Sequence, residues 1–339
     1  VTWQRIRGHE LQVAAFNRVV ARGRLAHAYL FTGPSGIGKR LFAQELARAL
    51  LCEALDRSRL EACDQCPACI QSAAGTHPDL YQARRPEESL EVPIELVREL
   101  CKSFGLKSAR GRGKIAILDD ADDLNDASAN CFLKTLEEPP PRSVLLLVGT
   151  SAERQLPTIL SRCQVVHFRP PPIAAVAGLL SDRGIEPAWA ARLATIADGS
   201  PGQALGLADK ALWEFRRALL DGLSRVPCDA LTIARNWQRF TEEAGKESAD
   251  QRRRTALVLR LLIDFYRRAL AADAGVAPAL AEAEDQHVLE ALISRASCQQ
   301  LLAFLDRCLE AEMQLERRVQ LVLVIEALVY AIAQRLQAS

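Results

Sequence analysis

The chain has 339 residues, with 43 Lys and Arg against 42 Asp and Glu for a net charge of +1. That length suits two or three domains, each able to bury its own core. The charge balance excludes a global field that would draw the protein to nucleic acid or to a membrane, so any DNA contact must be local or shared with partners.

The chain opens on Val1-Thr2-Trp3-Gln4-Arg5-Ile6-Arg7, without the apolar run of a signal peptide, and a loss of the initiator Met is expected. The most apolar late segment, Val319 to Ala333, carries Glu326 and is too short to span a bilayer, so it reads as a core helix. A cytoplasmic protein without membrane contact is the expectation. Apolar residues at helical spacing (Leu11, Val13, Ala14, Phe16, Val19, Val20) predict a helix that ends near Leu25-Ala26-His27.

Next, Ala28 to Thr32 reads as a short buried strand, and Leu41 to Leu51 as an amphipathic helix. Between them lies Gly33-Pro34-Ser35-Gly36-Ile37-Gly38-Lys39-Arg40, a phosphate-binding loop at every position but the last. In such a loop Gly33, Gly36 and Gly38 let backbone N–H groups close around a phosphate, Lys39 reaches the terminal phosphates, and a Ser or Thr hydroxyl ligates Mg²⁺. Arg40 holds the hydroxyl position, and a guanidinium has no lone pair for a metal and repels it. The cradle is expected to form. Mg²⁺ is not expected, which leaves ATP or ADP binding an open question at a degenerate nucleotide site. A purely structural Gly-rich turn is the competing reading.

Of the 10 Cys, four cluster as Cys52, Cys63, Cys66 and Cys69. Two overlapping Cys-x-x-Cys steps preceded by a fourth Cys suit a tetrahedral thiolate site for structural Zn²⁺. Buried thiols are the alternative. His77 is a second candidate ligand, though a lone His before Pro more simply serves a surface or turn role. Chain order continues with a strand over Pro78 to Ala83 and a helix over Pro93 to Phe104.

After the basic, glycine-rich Arg110-Gly111-Arg112-Gly113-Lys114, an apolar strand ends in Asp119 and Asp120. Those acids match the second half of a nucleotide site, one carboxylate holding the Mg²⁺ shell and the next orienting the attacking water. Asp122 and Asp123 follow closely, so a solvated acidic turn competes with that reading. A helix over Ala127 to Glu137 stops at three prolines, and a buried strand over Ser143 to Thr150 puts the Thr150 hydroxyl where a γ-phosphate could be sensed; a cap is the plainer alternative. A strand over Gln164 to Phe168 ends at Pro170-Pro171-Pro172. Alternating strands and helices to this point imply a parallel sheet covered on both faces. Beyond it the pattern is helical, with Gly199-Ser200-Pro201-Gly202 inside the first part and turns near Pro227-Cys228-Asp229 and around Gly275 to Pro278.

The run Phe132-Leu133-Lys134-Thr135-Leu136-Glu137-Glu138-Pro139-Pro140, followed by Ile159-Leu160-Ser161-Arg162-Cys163, resembles bacterial clamp-loader subunits of the AAA+ class, in particular their delta-prime type. The motifs span about the first 210 residues in the family's order, including the Cys insertion; the rest matches only in being helical. The resemblance implies an α/β AAA+ P-loop core (1–170, with the Cys₄ zinc module at 52–69), a small helical lid (171–208) and an all-α collar for oligomerisation (209–339). It also implies that Arg162 is an arginine finger reaching a neighbouring subunit's nucleotide site. An intramolecular salt bridge is the plain alternative for Arg162.

Motor subunits of this class carry a second sensor Arg in a Gly-Ser-x-Arg lid segment, where this chain has Gly202. Losses at the metal and at the lid imply a non-catalytic stator with no independent ATPase activity. Its partners would be the motor ATPase and delta subunits and, through the complex, the sliding clamp and primed DNA. An ATP-hydrolysing motor subunit is the alternative: Lys39 and the two acids favour it, while Arg40, Gly202 and the lack of a long C-terminal extension oppose it. A zinc-dependent nucleic-acid reader using the Cys cluster with Arg110 and Arg112 is less supported, because aromatics make up only 5% of the chain; phosphate contact by Arg110, Arg112 and Lys114 stays open. Finally, the Arg40 guanidinium is expected to lie over Asp119 and take the place of Mg²⁺.

Overall fold

The computed structural model describes residues 2–337 apart from 87, 88, 90, 226, 247 and 277–282. The turn expected around Gly275 to Pro278 therefore lies partly outside the described residues. Two compact units divide the chain, Val1–Leu179 with Asp198–Gly202, and Leu180–Ala197 with Gln203–Ser339.

The first unit is built on five parallel strands, β1 (Ala28–Thr32), β2 (Leu80–Ala83), β3 (Ile115–Leu118), β4 (Val144–Val148) and β5 (Gln164–His167), in the order β2-β3-β4-β1-β5. Strands β1, β3 and β4 are apolar at nearly every position and buried throughout, because both faces of a parallel sheet are covered by its crossover helices. Edge strand β5 is mostly exposed. The expected strand over Ser143 to Thr150 is thus shorter, and Thr150 falls in the loop that follows β4.

Two apolar clusters sandwich the sheet. On one face the helices α1 (Glu10–Ala21) and α2 (Lys39–Leu51) pack through aromatic rings. Phe42, fully buried, holds its ring 5.0 to 5.7 Å from those of Phe16, Phe31 and Phe168, spacing that adds edge-to-face attraction to burial. The opposite face is covered by α4 (Ile94–Gly105) and α5 (Asp126–Glu137), with the short helix α3 (Pro67–Ala73) lying in the Cys segment between β1 and β2. Asn125 caps α5 by accepting the Ser128 N–H at 2.8 Å. Helix α6 (Pro157–Leu160) follows β4, and α7 (Ile173–Ser181) follows β5.

The second unit is helical: α8 (Pro187–Ile196), α9 (Pro201–Leu207, whose first residues belong to the first unit), α10 (Lys210–Ser224), α11 (Ala230–Glu242), α12 (Ser248–Asp273), α13 (Ala283–Ile293), α14 (Cys298–Glu316) and α15 (Leu321–Gln337). The 26-residue α12 packs along α14, and α11 against α15, through buried Leu259, Leu262, Tyr266, Phe304 and Leu328. Arg192 and Arg216 are both buried against the Trp213 ring, at 4.9 and 5.4 Å, so cation–π attraction offsets part of their desolvation. Among the described residues no single helix is long and apolar enough to cross a membrane.

Candidate nucleotide site and Cys cluster

The sheet order assembles the first site. Strand β4 lies between β1 and β3, so the loops leaving their carboxyl ends converge, as at the switch points of other open parallel sheets. A cavity of about 290 Å³ forms there, lined by Gly36, Lys39, Arg40, Asp119, Asp120 and Thr150 among others. Gly33, Gly36 and Gly38 all have positive φ (143°, 77° and 103°). A Cβ on Gly33 would meet the Phe168 carbonyl oxygen at 2.2 Å, so that position admits only glycine.

The P-loop lysine is folded back on its own loop. Lys39 Nζ donates to the carbonyls of Gly33 (2.5 Å) and Pro34 (2.6 Å). Burial pulls its pKa down, against the opposing pull of Asp119 and Asp122. From behind the loop His9, buried and neutralised by that burial, sits 2.7 Å from the Ile37 carbonyl through Nε2. From above, Gly202 N–H donates to the Gly36 carbonyl (3.0 Å) and Ser200 Oγ to the Ser35 carbonyl (3.2 Å). A Cβ at residue 202 would stand 3.1 Å from Gly36 O, so the approach depends on a glycine where a sensor arginine was the alternative.

Every acid at the site has a protein partner. Arg40 Nη1 lies 3.5 Å from Asp119 Oδ2, over the carboxylate as the sequence led us to expect. Burial, then the neighbouring Asp120, raises the Asp119 carboxyl above its ordinary range, and Arg40 pulls it back. Arg84 and Arg85 approach Asp120 at 3.3 and 3.9 Å, and Arg85 also binds Asp123 at 2.6 Å. Asp122 accepts from Thr150 N–H (2.6 Å), Thr150 Oγ1 (2.5 Å) and Gln155 Nε2 (2.6 Å). The Thr150 hydroxyl is therefore held by a carboxylate at the cavity wall.

Arg162 lies elsewhere, after α6, where Nη2 pairs with Glu137 at 2.5 Å and Nη1 donates to the Thr158 carbonyl and Ser161 Oγ, each at 3.1 Å. Its side chain is about one-third exposed. Both readings of this residue thus stand: it makes an intramolecular bridge within the unit, at an accessible surface position.

The Cys segment forms the second site. The Sγ atoms of Cys52, Cys63, Cys66 and Cys69 all lie within 4.8 Å of one another, a spacing that a single ion can bridge. Cys66 N–H points at Cys63 Sγ (3.3 Å) and Cys69 N–H at Cys66 Sγ (3.5 Å), and such donors favour thiolates. Burial pushes the Cys66 thiol up, but the N–H groups of Cys69 and Glu53 more than offset it and bring it down to about 6. Burial raises the Cys69 thiol. His77 stands apart from this cluster: it is buried, not at the surface, and its Nδ1 accepts the Asp79 N–H at 3.0 Å in a turn.

The basic loop clamps the Cys segment. Arg110 pairs with Glu53 (2.9 Å) and Gln71 (2.9 Å), Arg112 donates to the Glu53 carbonyl (3.0 Å), and Lys114 is buried. Asp79 fixes the loop by accepting from Ser108 Oγ and the N–H groups of Ala109 and Arg110. Arg84, Arg85, Asp122, Gln155, Glu137 and His9 are site residues that the sequence reading did not single out. The position of Arg84 and Arg85, immediately after a parallel strand, is the signal that could have found them.

A P-loop on β1, acids after β3 and a polar residue after β4, in a parallel sheet of this order flanked by helices, define an AAA+-like core, joined here to an all-α region. The family profile described as "DNA polymerase III, delta subunit" matches residues 8–172. The DNA polymerase III subunit delta' of Pseudomonas aeruginosa is 36% identical over 233 residues, 67% of this chain and 70% of that protein. Its Escherichia coli counterpart is 34% identical over 62% of this chain and 63% of its own length. A gamma subunit-related protein of Thermotoga maritima, solved by crystallography, is 16% identical and covers 96% of this chain and 99% of its own, with a TM-score of 0.44. The chain belongs to the DNA polymerase III delta'/tau/gamma subunit family, the clamp-loader-related AAA+ proteins.

Proposed function

We propose that this chain is a non-catalytic stator of a DNA polymerase III clamp loader, a cytoplasmic protein that donates Arg162 to the nucleotide site of a neighbouring motor subunit. The observation that carries the reading is the Arg40–Asp119 pair: a fixed cation occupies the place of the Mg²⁺-binding hydroxyl and neutralises the carboxylate that would hold the ion's shell. The collapse of Lys39 onto its own loop and the contact of Gly202 with Gly36 support it, since both compete with a nucleotide for the cradle. With Asp120 and Asp122 engaged by arginine, threonine and glutamine, no carboxylate at the cavity is left to orient an attacking water.

In this account the chain's chemical contribution is made in trans. A guanidinium placed against a transferring phosphoryl group offsets its charge and is worth roughly 10³–10⁵ in rate. Arg162 is close enough to the surface to reach a partner once it leaves Glu137. The Cys₄ cluster holds a structural Zn²⁺ that fixes the segment between β1 and β2. Partners are the motor and delta subunits, with the sliding clamp and primed DNA engaged through the assembled complex. The motor alternative keeps Lys39, Asp119 and Asp120 in its favour, but each of these is already satisfied by protein. To test the proposal, a loader is reconstituted with Arg162→Ala: single-turnover hydrolysis at the facing site slows by about 10³ or more with assembly intact, whereas an unchanged rate refutes the finger role.

A further inference from the structure

A second cavity, of about 310 Å³, opens at the other edge of the same sheet. It is lined by Val20, Leu25, Arg57, Ser58, Arg142 and Val144, with Gly23 and Ser143 completing it. Val144 begins β4 and Val148, which borders the P-loop cavity, ends it, so the two cavities lie about 13 Å apart along one strand. The second is no smaller than the first.

Its charge is one-sided. Among the described residues no carboxylate pairs with Arg57 or Arg142. Arg57 donates through Nη1 to the Arg112 carbonyl (3.0 Å) and Arg142 through Nη1 to the Gly111 carbonyl at 3.5 Å, so most of the ten guanidinium N–H donors have no protein acceptor. Burial, followed by the positive charges of Arg142 and Arg112, lowers the Arg57 pKa. Only Arg112 has an acid nearby, the exposed Asp56.

The position of Arg142 is built rather than incidental. It takes a left-handed backbone (φ 61°), and a Cβ on Gly113 would lie 2.0 Å from its carbonyl oxygen. Two guanidinium forks, a serine beside one of them and an apolar wall of Val20, Leu25 and Val144 suit a group that is anionic at one end and flat and apolar at the other. We propose that this cavity is a phosphate-binding site for a nucleotide unit, the phosphate held by Arg57 and Arg142 and the sugar or base against the apolar wall. The unit comes either from a free mononucleotide or from a DNA strand.

The test uses the chain in a Lys39→Ala background, which disables the P-loop, with two probes: AMP by calorimetry and a fluorescent single-stranded 12-mer by anisotropy. Arg57→Gln keeps a donor for the Arg112 carbonyl, and Arg142→Gly suits the left-handed backbone, so both variants fold. The double variant is expected to weaken the bound probe at least tenfold, and for the 12-mer to lower the slope of log K against log salt by about 1.4, from two lost phosphate contacts at about 0.7 each. Binding of the 12-mer alone assigns the site to a strand, and comparable binding of AMP assigns it to a free nucleotide. Absence of saturable binding of both probes, or binding unchanged in the double variant, overturns the proposal.

Discussion

Replacing Arg40 with Ala removes the cation that sits 3.5 Å from Asp119 and leaves that carboxylate largely buried beside Asp120. Coulomb's law at this distance gives about 1.2 kcal/mol at the dielectric of water and about 4.7 kcal/mol at an effective dielectric of 20. The Arg40 side chain is 45% exposed and that of Asp119 18%, which places the coupling toward the lower bound, at about 1–2 kcal/mol. The assay is a double-mutant cycle in urea, with wild type, Arg40→Ala, Asp119→Asn and the double variant. The pH dependence gives a second reading with a definite sign. Burial and Asp120 raise the folded-state carboxyl above its unfolded value, so its ionisation penalises the fold as pH rises through that raised value. Removal of Arg40 raises it further. The Arg40→Ala deficit is therefore largest near pH 7 and shrinks toward about pH 4, where Asp119 takes up its proton in both proteins. Additivity within about 0.3 kcal/mol at pH 7, or a deficit independent of pH, would refute the reasoning.

Asp122→Ala strips the acceptor from Thr150 and Gln155, and a loss of about 2–4 kcal/mol is expected by urea unfolding. Conversion to Asn, which keeps one acceptor oxygen, should cost less. Glu137→Gln removes the charge facing Arg162 and should change stability by less than about 1 kcal/mol, because the glutamate is half exposed; a larger loss in thermal melts would mean the bridge is structural. Cys66→Ser should lower bound zinc by about one equivalent in elemental analysis and expose the Cys segment to proteolysis, with the β-sheet signal retained; full metal content would remove Cys66 from the ligand set.

What was legible in the sequence was whatever chemistry is written in local spacing. The glycines and Lys39, the paired acids Asp119 and Asp120, the four clustered cysteines and Arg162 each belong to a short motif, and the continuous apolar runs of β1, β3 and β4 announced a parallel sheet. Partners set by topology were hidden. Arg84 and Arg85 meet Asp120 because β2 and β3 pair in parallel, bringing residues 36 positions apart together. Asp122 looked like one more acid in a solvated turn, yet its oxygens anchor the loop after β4, a relation set by the β3–β4 pairing. Arg110 and Arg112 looked available for phosphate, and their partners Glu53 and Gln71 lie in a segment whose fold the sequence did not specify.

Arg40 in the place of Mg²⁺ is the centre of this account, and calorimetric titration of the chain with ATP, with and without Mg²⁺ and with phosphate release followed in the same samples, tests it most directly. The account predicts no turnover, and either no binding or binding indifferent to Mg²⁺. Mg²⁺-dependent binding with hydrolysis would contradict it and make the chain a motor.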